Sequence, residues 1–229
     1  MKIEFQNKVY KQNNHRLYFK KIKNEISKSF STTEKISVLD IGSGNGDLIN
    51  YLDCFFDNFN YTGIEKSKEL YQRSKKKFRN SKNIKFYNSS VLNHKKKYDL
   101  VIAAGVFGYF DTIEFLFKKL HSFLNKKKKS RIVIFDNLNE FGVEKIVKFR
   151  VKPNANWLNG HSQTSIDKVS SFFKKKKYKI SFKKFIYPGK IKKTNDPSRS
   201  YTSMIDGKKN ILISKTGLIF TFYIVTITK

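Results

Sequence analysis

The 229-residue chain is poor in several residue types that mark particular classes of protein. Its only cysteine, Cys54, is expected to be buried on a helix face, and a single cysteine excludes a disulfide within the chain. The four histidines are scattered without the spacing of metal ligands, so we expect no metal site. The most apolar stretch, residues 217–227, is too short to cross a bilayer as a helix and is rich in β-branched residues, which predicts a strand. Because residues 1–30 lack the apolar core of a signal peptide, we expect a soluble, cytoplasmic protein.

Acidic residues are scarce as well. The 48 lysines and arginines outnumber the 18 aspartates and glutamates, so the formal net charge is +30. Such a charge favours a polyanionic partner, either nucleic acid or a membrane surface. Compositional drift competes with that interpretation, because only six of the 48 are arginine, alanine occurs three times, and residues with AT-rich codons are abundant. The lysine runs also fall at predicted helix ends, which favour lysine through the helix dipole. We therefore favour drift and keep nucleic-acid binding as the alternative.

A glycine-rich loop follows the first predicted strand and opens a helix. The β-branched run at residues 36–41 ends at Gly42, Gly44 and Gly46, and a helical pattern begins directly afterwards. This order is typical of a nucleotide-type cofactor site, because glycines let the backbone approach a ligand and N–H groups at a helix start form a polar cradle. The spacing G-x-G-x-G differs from the dinucleotide fingerprint G-x-G-x-x-G. Asp40 lies two residues before the loop, and its carboxylate suits a ligand with an ammonium and a sulfonium better than a pyrophosphate.

The second predicted strand, residues 61–65, ends in a carboxylate. Glu65 lies 19 residues after Gly46, close to the offset of about 20 residues at which an acidic side chain meets a ribose in βαβ cofactor folds. A carboxylate accepts hydrogen bonds from both ribose hydroxyls, which explains the residue type.

Together these stretches resemble motif I and the following strand of class I S-adenosylmethionine-dependent methyltransferases. Later strands at residues 84–90, 98–104 (with a Tyr-Asp-Leu-Val opening) and 131–136 extend the resemblance, which covers residues 31–136 well and the rest weakly. It implies a Rossmann-like, doubly wound α/β sheet, mostly parallel with an antiparallel last strand, and a methyltransferase that uses S-adenosyl-L-methionine. The implied cofactor residues are Asp40, Gly42, Ser43, Gly44, Gly46, Glu65, Ser89 and Ala104.

Ser89 is a departure from the family pattern. Family members commonly place an aspartate at the end of the third strand, where it accepts a hydrogen bond from the adenine amino group. A serine hydroxyl accepts more weakly than a carboxylate, so backbone groups of Val91 or Leu92 are an alternative adenine contact.

The length and the order of predicted elements indicate a single domain, residues 1–229. An N-terminal arm contains one helix, at about residues 15–30. Residues 31–136 form the cofactor-binding half, residues 137–216 form substrate-side loops and an insertion, and residues 217–229 form the last strand. Within the insertion, residues 203–205 and 208–213 form a candidate hairpin joined through Asp206-Gly207. Long ordered insertions tend to be functional.

The loop after the fourth strand bears on the substrate. Family enzymes that methylate nucleobase amines carry Asn/Asp-Pro-Pro-aromatic there, whereas residues 104–109 read Ala-Gly-Val-Phe-Gly-Tyr and resemble the small-molecule branch. The single cysteine also argues against cysteine-based base methylation. We expect methyl transfer to an oxygen or nitrogen of a small anionic metabolite or glycan precursor. The alternatives are an RNA methyltransferase that uses the basic surface and a noncatalytic binding module on the same fold.

Candidate catalytic and substrate residues come from the loops after the fourth and fifth strands. His161, in a long loop on the predicted ligand side, is the candidate base, with Asp136 and Tyr109 as further catalytic candidates. Because arginine binds carboxylates and phosphates in a bidentate manner, an arginine that persists in a lysine-rich chain is a candidate for holding an anionic substrate. The candidate substrate-binding residues are Trp157, Arg199 and Tyr201.

Overall fold

The computed structural model describes residues 17–110, 112–125, 127, 129–150, 152–195, 200–205 and 209–229, the side chains of residues 205, 209 and 210 excepted. The helices are α1 (Leu17–Ser27), α2 (Asp47–Asp53), α3 (Lys68–Lys77), α4 (Ile113–Ser122) and α5 (Ile166–Lys174), with a 3₁₀ turn at Phe107–Tyr109. The strands are β1 (Ser37–Ile41), β2 (Asn60–Glu65), β3 (Ile84–Asn88), β4 (Leu100–Ala104), β5 (Arg131–Asn139), β6 (Lys148–Phe149), β7 (Leu158–Asn159), β8 (Thr164–Ser165), β9 (Lys179–Phe185), β10 (Ser200–Ile205), β11 (Lys209–Ser214), β12 (Ile219–Phe220) and β13 (Phe222–Thr228).

The main sheet has the strand order β3-β2-β1-β4-β5-β13-β9, and the short β8 pairs with the end of β5. The pairs from β3 to β5 are parallel, whereas β13 runs antiparallel to both β5 and β9. The predicted Rossmann-like fold with an antiparallel last strand is therefore confirmed. The order reverses between β1 and β4, so the loops after these strands meet at the switch point where such sheets bind ligands.

Two hydrophobic cores lie on opposite faces of this sheet. Alternate residues of β1 divide between them, since Leu39 and Ile41 pack with α4 and α5 while Val38 packs with α1 and α2. Phe117 and Phe173 are among the largest fully buried side chains, and both lie on the face covered by α4 and α5. A sheet that is covered on both faces explains why its central strands read as continuous apolar runs.

Local sequence signals account for where two of the helices begin. Ser67 and Ser165 are the N-caps of α3 and α5, and their hydroxyls accept hydrogen bonds from Leu70 N at 3.4 Å and Lys168 N at 3.1 Å. The last turn of α3 carries Lys75–Lys77, where positive charge complements the helix dipole.

The insertion before the last strand forms a small separate sheet. β10, β11 and β12 pair in that order, antiparallel throughout. The predicted strand segments of a hairpin are present, whereas its expected Asp206-Gly207 turn lies outside the described residues. Because β12 leads directly into β13, whose first residue Phe222 pairs with Asn137 near the end of β5, the small sheet adjoins the ligand edge of the main sheet.

The expected burial of Cys54 is wrong. α2 ends at Asp53 rather than near residue 56, so Cys54 occupies the C-cap and is exposed, with its Sγ donating to the Asn50 carbonyl at 3.3 Å. Within the described part of the chain, no helix is long and apolar enough to cross a membrane.

Asn137 joins three elements at the end of β5, and its removal tests that junction. Its buried Oδ1 accepts hydrogen bonds from Gln163 Nε2 at 2.9 Å and from Thr221 N at 2.8 Å. Asn137→Ala leaves both donors without this acceptor, so we expect the free energy of unfolding to fall by about 2–4 kcal/mol in urea denaturation. The control Asn93→Ala, at an exposed position, should change it by less than about 0.5 kcal/mol. Equal losses in the two variants would contradict this role.

Candidate functional site

The glycine loop after β1 has one crowded side and one open side. Gly42, Gly44 and Gly46 all have left-handed φ angles, of 67°, 57° and 81°, a region that side chains disfavour. A Cβ at Gly42 would lie 2.6 Å from Cγ1 of Val106, whereas a Cβ at Gly44 would meet no atom within 4 Å. The loop therefore packs against the segment after β4 at one end and leaves its backbone accessible at Gly44.

Glu65 ties the end of β2 to this loop. Its Oε2 accepts a hydrogen bond from Gly44 N at 2.9 Å, and its Oε1 accepts from Ser67 N at 2.8 Å. The two bonds fix the carboxylate at the open side of the loop, and each oxygen retains a lone pair for a further donor. A pair of ligand hydroxyls fits this carboxylate.

Asp40 lies beneath the loop as a buried carboxyl. Burial, and secondarily the negative charge of Glu65, raise the pKa of Asp40 from 3.8 to about 8. The nearby Ser43 Oγ is also buried and has no hydrogen-bond partner among the described residues. Two carboxyl groups that repel each other in a buried place favour a cationic ligand, so this end of the site fits an ammonium or sulfonium group.

Gly63 was missed by sequence reasoning. A Cβ there would lie 2.5 Å from the Phe86 ring and 2.7 Å from Ser43 Oγ. The ring and the hydroxyl therefore pack directly on the backbone of β2, and only glycine allows it. The available signal was a glycine inside a predicted strand, which often marks a close approach.

The predicted adenine contact of Ser89 is not tested. Ser89 N donates to Glu65 O at 3.1 Å, which places the turn after β3 beside the end of β2. Its hydroxyl donates to the Ser90 carbonyl at 3.0 Å. The Ser89 oxygen is half-buried and still has acceptor capacity.

The end of β4 forms the opposite wall. Ala104 is half-buried, and Gly105 is exposed with φ 72° and no atom within 4 Å of a Cβ position. Gly105 N donates to Phe135 O at 2.8 Å, which anchors the turn to β5. Gly105 was not among the predicted site residues, although a glycine directly after a strand was the available signal.

Asp136 holds the loop after β4. Its Oδ2 accepts from Val106 N and Phe107 N, both at 2.8 Å, and its Oδ1 accepts from Asn137 N at 2.8 Å. Burial raises the pKa of Asp136 to about 6, while the three backbone N–H groups act to lower it. With both oxygens occupied by backbone donors, the geometry favours a positioning role, and its predicted catalytic role stays a prediction.

His161 and Tyr109 lie in neighbouring segments. Ser162 N donates to Gly108 O at 3.2 Å, and a Cβ on Gly108 would lie 2.9 Å from His161 Cα. The His161 ring meets Phe220 edge-on at 5.2 Å between centroids. Tyr109 is exposed, and its carbonyl accepts from Asn159 Nδ2 at 3.2 Å. The segment after β7 thus covers the loop after β4. The catalytic roles of His161 and Tyr109 stay predictions.

The predicted substrate residues are less closely grouped. Trp157 is exposed on the loop that joins β6 and β7, and the Arg150 guanidinium lies 4.9 Å from its ring centroid. Tyr201 belongs to β10, with Lys193 Nζ at 5.2 Å from its ring. Arg199 lies outside the described residues.

Helix α1 contributes an aromatic side chain near this edge of the sheet. Tyr18 stacks on Phe135 with 4.1 Å between ring centroids, and Phe135 stacks on Phe222 at 5.0 Å. Phe135 lies in β5 beside Ala104 of β4. The helix predicted in the N-terminal arm therefore packs next to the site.

The chain is similar to known proteins both in sequence and in fold. The family model described as a methyltransferase domain matches residues 39–127. No match was found among curated proteins. Many solved structures are similar in fold, including the following three. YcgJ from Bacillus subtilis is 11% identical, with a TM-score of 0.61 over 90% of this chain and 96% of that one.

The other two neighbours are longer proteins. A putative O-methyltransferase from Nostoc punctiforme is 16% identical, with a TM-score of 0.57 over 92% of this chain and 55% of that one. The O-methyltransferase of a trans-AT PKS multienzyme of Brevibacillus brevis, in complex with S-adenosyl-L-homocysteine, is 15% identical, with a TM-score of 0.52 over 65% of this chain and 49% of that one. This chain thus spans about half of each of these two neighbours.

The raised pKa of Asp40 predicts proton release when a cationic ligand binds. A sulfonium or ammonium stabilises the carboxylate, so binding of S-adenosylmethionine near neutral pH should release a proton from Asp40. Calorimetry in two buffers with different ionisation enthalpies measures that release. Asp40→Asn should release less, because an amide does not titrate. Equal proton release by the two proteins would contradict the assignment.

The same substitution has a second readout in the absence of ligand. Because the pKa of Asp40 is raised from 3.8 to about 8 on folding, its stabilising contribution is lost as pH rises through that interval. The melting temperature of the wild type should therefore fall toward alkaline pH more than that of Asp40→Asn.

Proposed function

We propose that this chain, which carries a methyltransferase domain of the class I S-adenosylmethionine-dependent family, methylates an oxygen or nitrogen of a small, anionic metabolite or glycan precursor. The family model described as a methyltransferase domain, which matches residues 39–127, supports the expected family, the methyltransferase activity and the cofactor S-adenosyl-L-methionine, and the similar structures support the fold. The acceptor is the proposal, together with a cytoplasmic location.

The residues at the switch point fit the cofactor. Asp40 provides a buried carboxyl that becomes negatively charged when a cation binds, Glu65 provides paired acceptors, and Gly44 leaves an open stretch of backbone. When bound, S-adenosylmethionine supplies an electrophilic methyl group on a positively charged sulfur. The role of the protein is to align an acceptor with that methyl group, since alignment supplies much of the acceleration.

The observation that carries the small-acceptor proposal is the covered loop after β4. Asn159 and Ser162 donate hydrogen bonds to the carbonyls of Tyr109 and Gly108, so a chain segment lies over this loop. Asp136 holds the same loop from below through Val106 and Phe107. A loop fixed from both sides favours a compact acceptor over a folded polymer.

His161 is the proposed base for an acceptor that must lose a proton. It belongs to the covering segment, and its backbone packs on Gly108. An imidazole suits this task, because its ordinary pKa lies near neutral pH. Two of the structural neighbours are described as O-methyltransferases, which is in keeping with an oxygen acceptor.

RNA methylation is the second candidate, and the net charge of +30 favours it. Exposed lysines are widespread on the described surface, including Lys95, Lys96 and Lys97. Such a surface attracts phosphates without sequence preference. A loop held from both sides suits a compact acceptor better than RNA, and we therefore rank this candidate second.

Replacing Glu65 tests the cofactor site. Glu65→Ala removes a charged acceptor, so S-adenosylmethionine should bind more weakly by about 1.5–3 kcal/mol in calorimetry. Glu69→Ala is the matched control, since Glu69 is an exposed glutamate of α3 that pairs with Arg73. Its affinity should equal that of the wild type. A wild-type protein that binds a nicotinamide dinucleotide and not S-adenosylmethionine would overturn the reading of the site.

Salt dependence separates the two candidate acceptors. If the basic surface is compositional, RNA binding should be weak and should vanish near physiological salt, because each phosphate contact releases a counterion. Fluorescence anisotropy with labelled single-stranded and hairpin RNAs over a salt series measures this. Tight, structure-selective binding at physiological salt would reverse the ranking.

A further inference from the structure

We infer that Arg150 and Trp157 form an anion-binding subsite for the acceptor, one that takes an aromatic ring carrying a carboxylate or a phosphate. The inference rests on the proposed methylation of a small anionic acceptor. It assigns to Arg150 the anion-binding role that sequence reasoning gave to Arg199.

The β6–β7 hairpin places the two side chains opposite each other. Lys148 pairs with Asn159 and Phe149 with Leu158, in antiparallel register. One residue further in the same register, Arg150 lies across from Trp157, and its guanidinium is 4.9 Å from the Trp157 ring centroid. Directly opposed residues project to the same side of a hairpin.

That side of the hairpin faces the loop after β4. Asn159 lies on it, two residues from Trp157, and its amide donates to the Tyr109 carbonyl at 3.2 Å. The other side is occupied, because the Phe149 ring packs on Gly160, where a Cβ would lie 2.6 Å from the ring. Arg150 and Trp157 share this side of the hairpin with Asn159, and we infer that they face the mouth of the site.

Burial does not explain this pair. Trp157 is 59% exposed and Tyr109 is 41% exposed, although large aromatic side chains usually bury most of their surface. Exposed aromatic residues beside a site are typical of ligand contacts. The guanidinium of Arg150 lies over the Trp157 ring, and such a contact restricts the side chain and reduces the entropy that it loses on binding an anion.

The two glutamates between β5 and β6 pair with groups other than Arg150. Glu144 binds Lys168 and accepts from Thr164, and Glu140 binds Lys184 at 3.1 Å and accepts from Tyr223. No ion pair to Arg150 is found within the described ranges. A guanidinium presents paired N–H groups that match a carboxylate or a phosphate, and a ring attached to that anion can stack with Trp157 or Tyr109.

The single tryptophan makes the subsite directly observable. Because Trp157 is the only tryptophan in the chain, tryptophan emission excited at wavelengths that tyrosine does not absorb reports on this subsite alone. The full chain with saturating S-adenosylmethionine is titrated with benzoate, phenyl phosphate and the neutral control benzamide. We expect benzoate or phenyl phosphate to change the emission at concentrations where benzamide does not, and the stronger of the two identifies the anion.

Variants separate a guanidinium contact from a general charge effect. Arg150→Gln should weaken binding of the effective anion by at least about tenfold. Arg79→Gln removes the same charge from an exposed site at the end of α3 and should leave binding unchanged. Arg150→Lys should retain only part of the affinity, because lysine lacks the planar fork.

Each outcome decides the inference. Equal responses to benzamide and to both anions, or equal effects of Arg150→Gln and Arg79→Gln, would overturn it. A fluorescence response to an RNA oligomer at physiological salt, without one to either anion, would also overturn it. Calorimetry with S-adenosylmethionine alone distinguishes failure of this inference from failure of the proposed function. Arg150→Gln should leave the affinity for S-adenosylmethionine unchanged. A wild-type protein that binds no S-adenosylmethionine would contradict the proposed function itself.

Discussion

The polar end of β5 is the constraint on which the rest of the site depends. Asp136 accepts hydrogen bonds from three backbone N–H groups, two of which belong to the loop after β4 and fix that loop. The adjacent Asn137 accepts from Gln163 and Thr221, which attaches the covering segment and the start of β13. Buried donors are costly when they lack a partner, so these two side chains hold three loops in one arrangement at the ligand edge of the sheet.

A second constraint is electrostatic. Asp40 and Glu65 place two carboxyl groups at one site, and burial raises the pKa of Asp40 to about 8. Such a pair weakens the folded protein at alkaline pH and strengthens its attraction for a cation. The unfavourable burial of Asp40 therefore lowers stability at the place where a positively charged cofactor binds. Unfavourable charges of this kind are often found at functional sites.

The positively charged surface has a different origin from the site. Lysines occupy the last turn of α3 and many exposed positions, whereas the glycine loop and the loop after β4 carry glycine, aromatic and small side chains. Arg150, which we propose as the anion-binding cation of the site, lies over the Trp157 ring. Net charge describes the partners that the whole surface attracts, and it carries no information about which single cation faces the acceptor.

Local sequence determined the order of strands and helices, the glycine loop and the positions of Asp40 and Glu65, because hydrophobic period and glycine spacing act over a few residues. Tertiary structure decided the rest. The occupation of Asp136 by backbone donors and the direction of Arg150 depend on segments far apart in the chain or on hairpin register. The exposure of Cys54 followed from where α2 ends, and the boundary of a helix is the part that its sequence specifies least sharply.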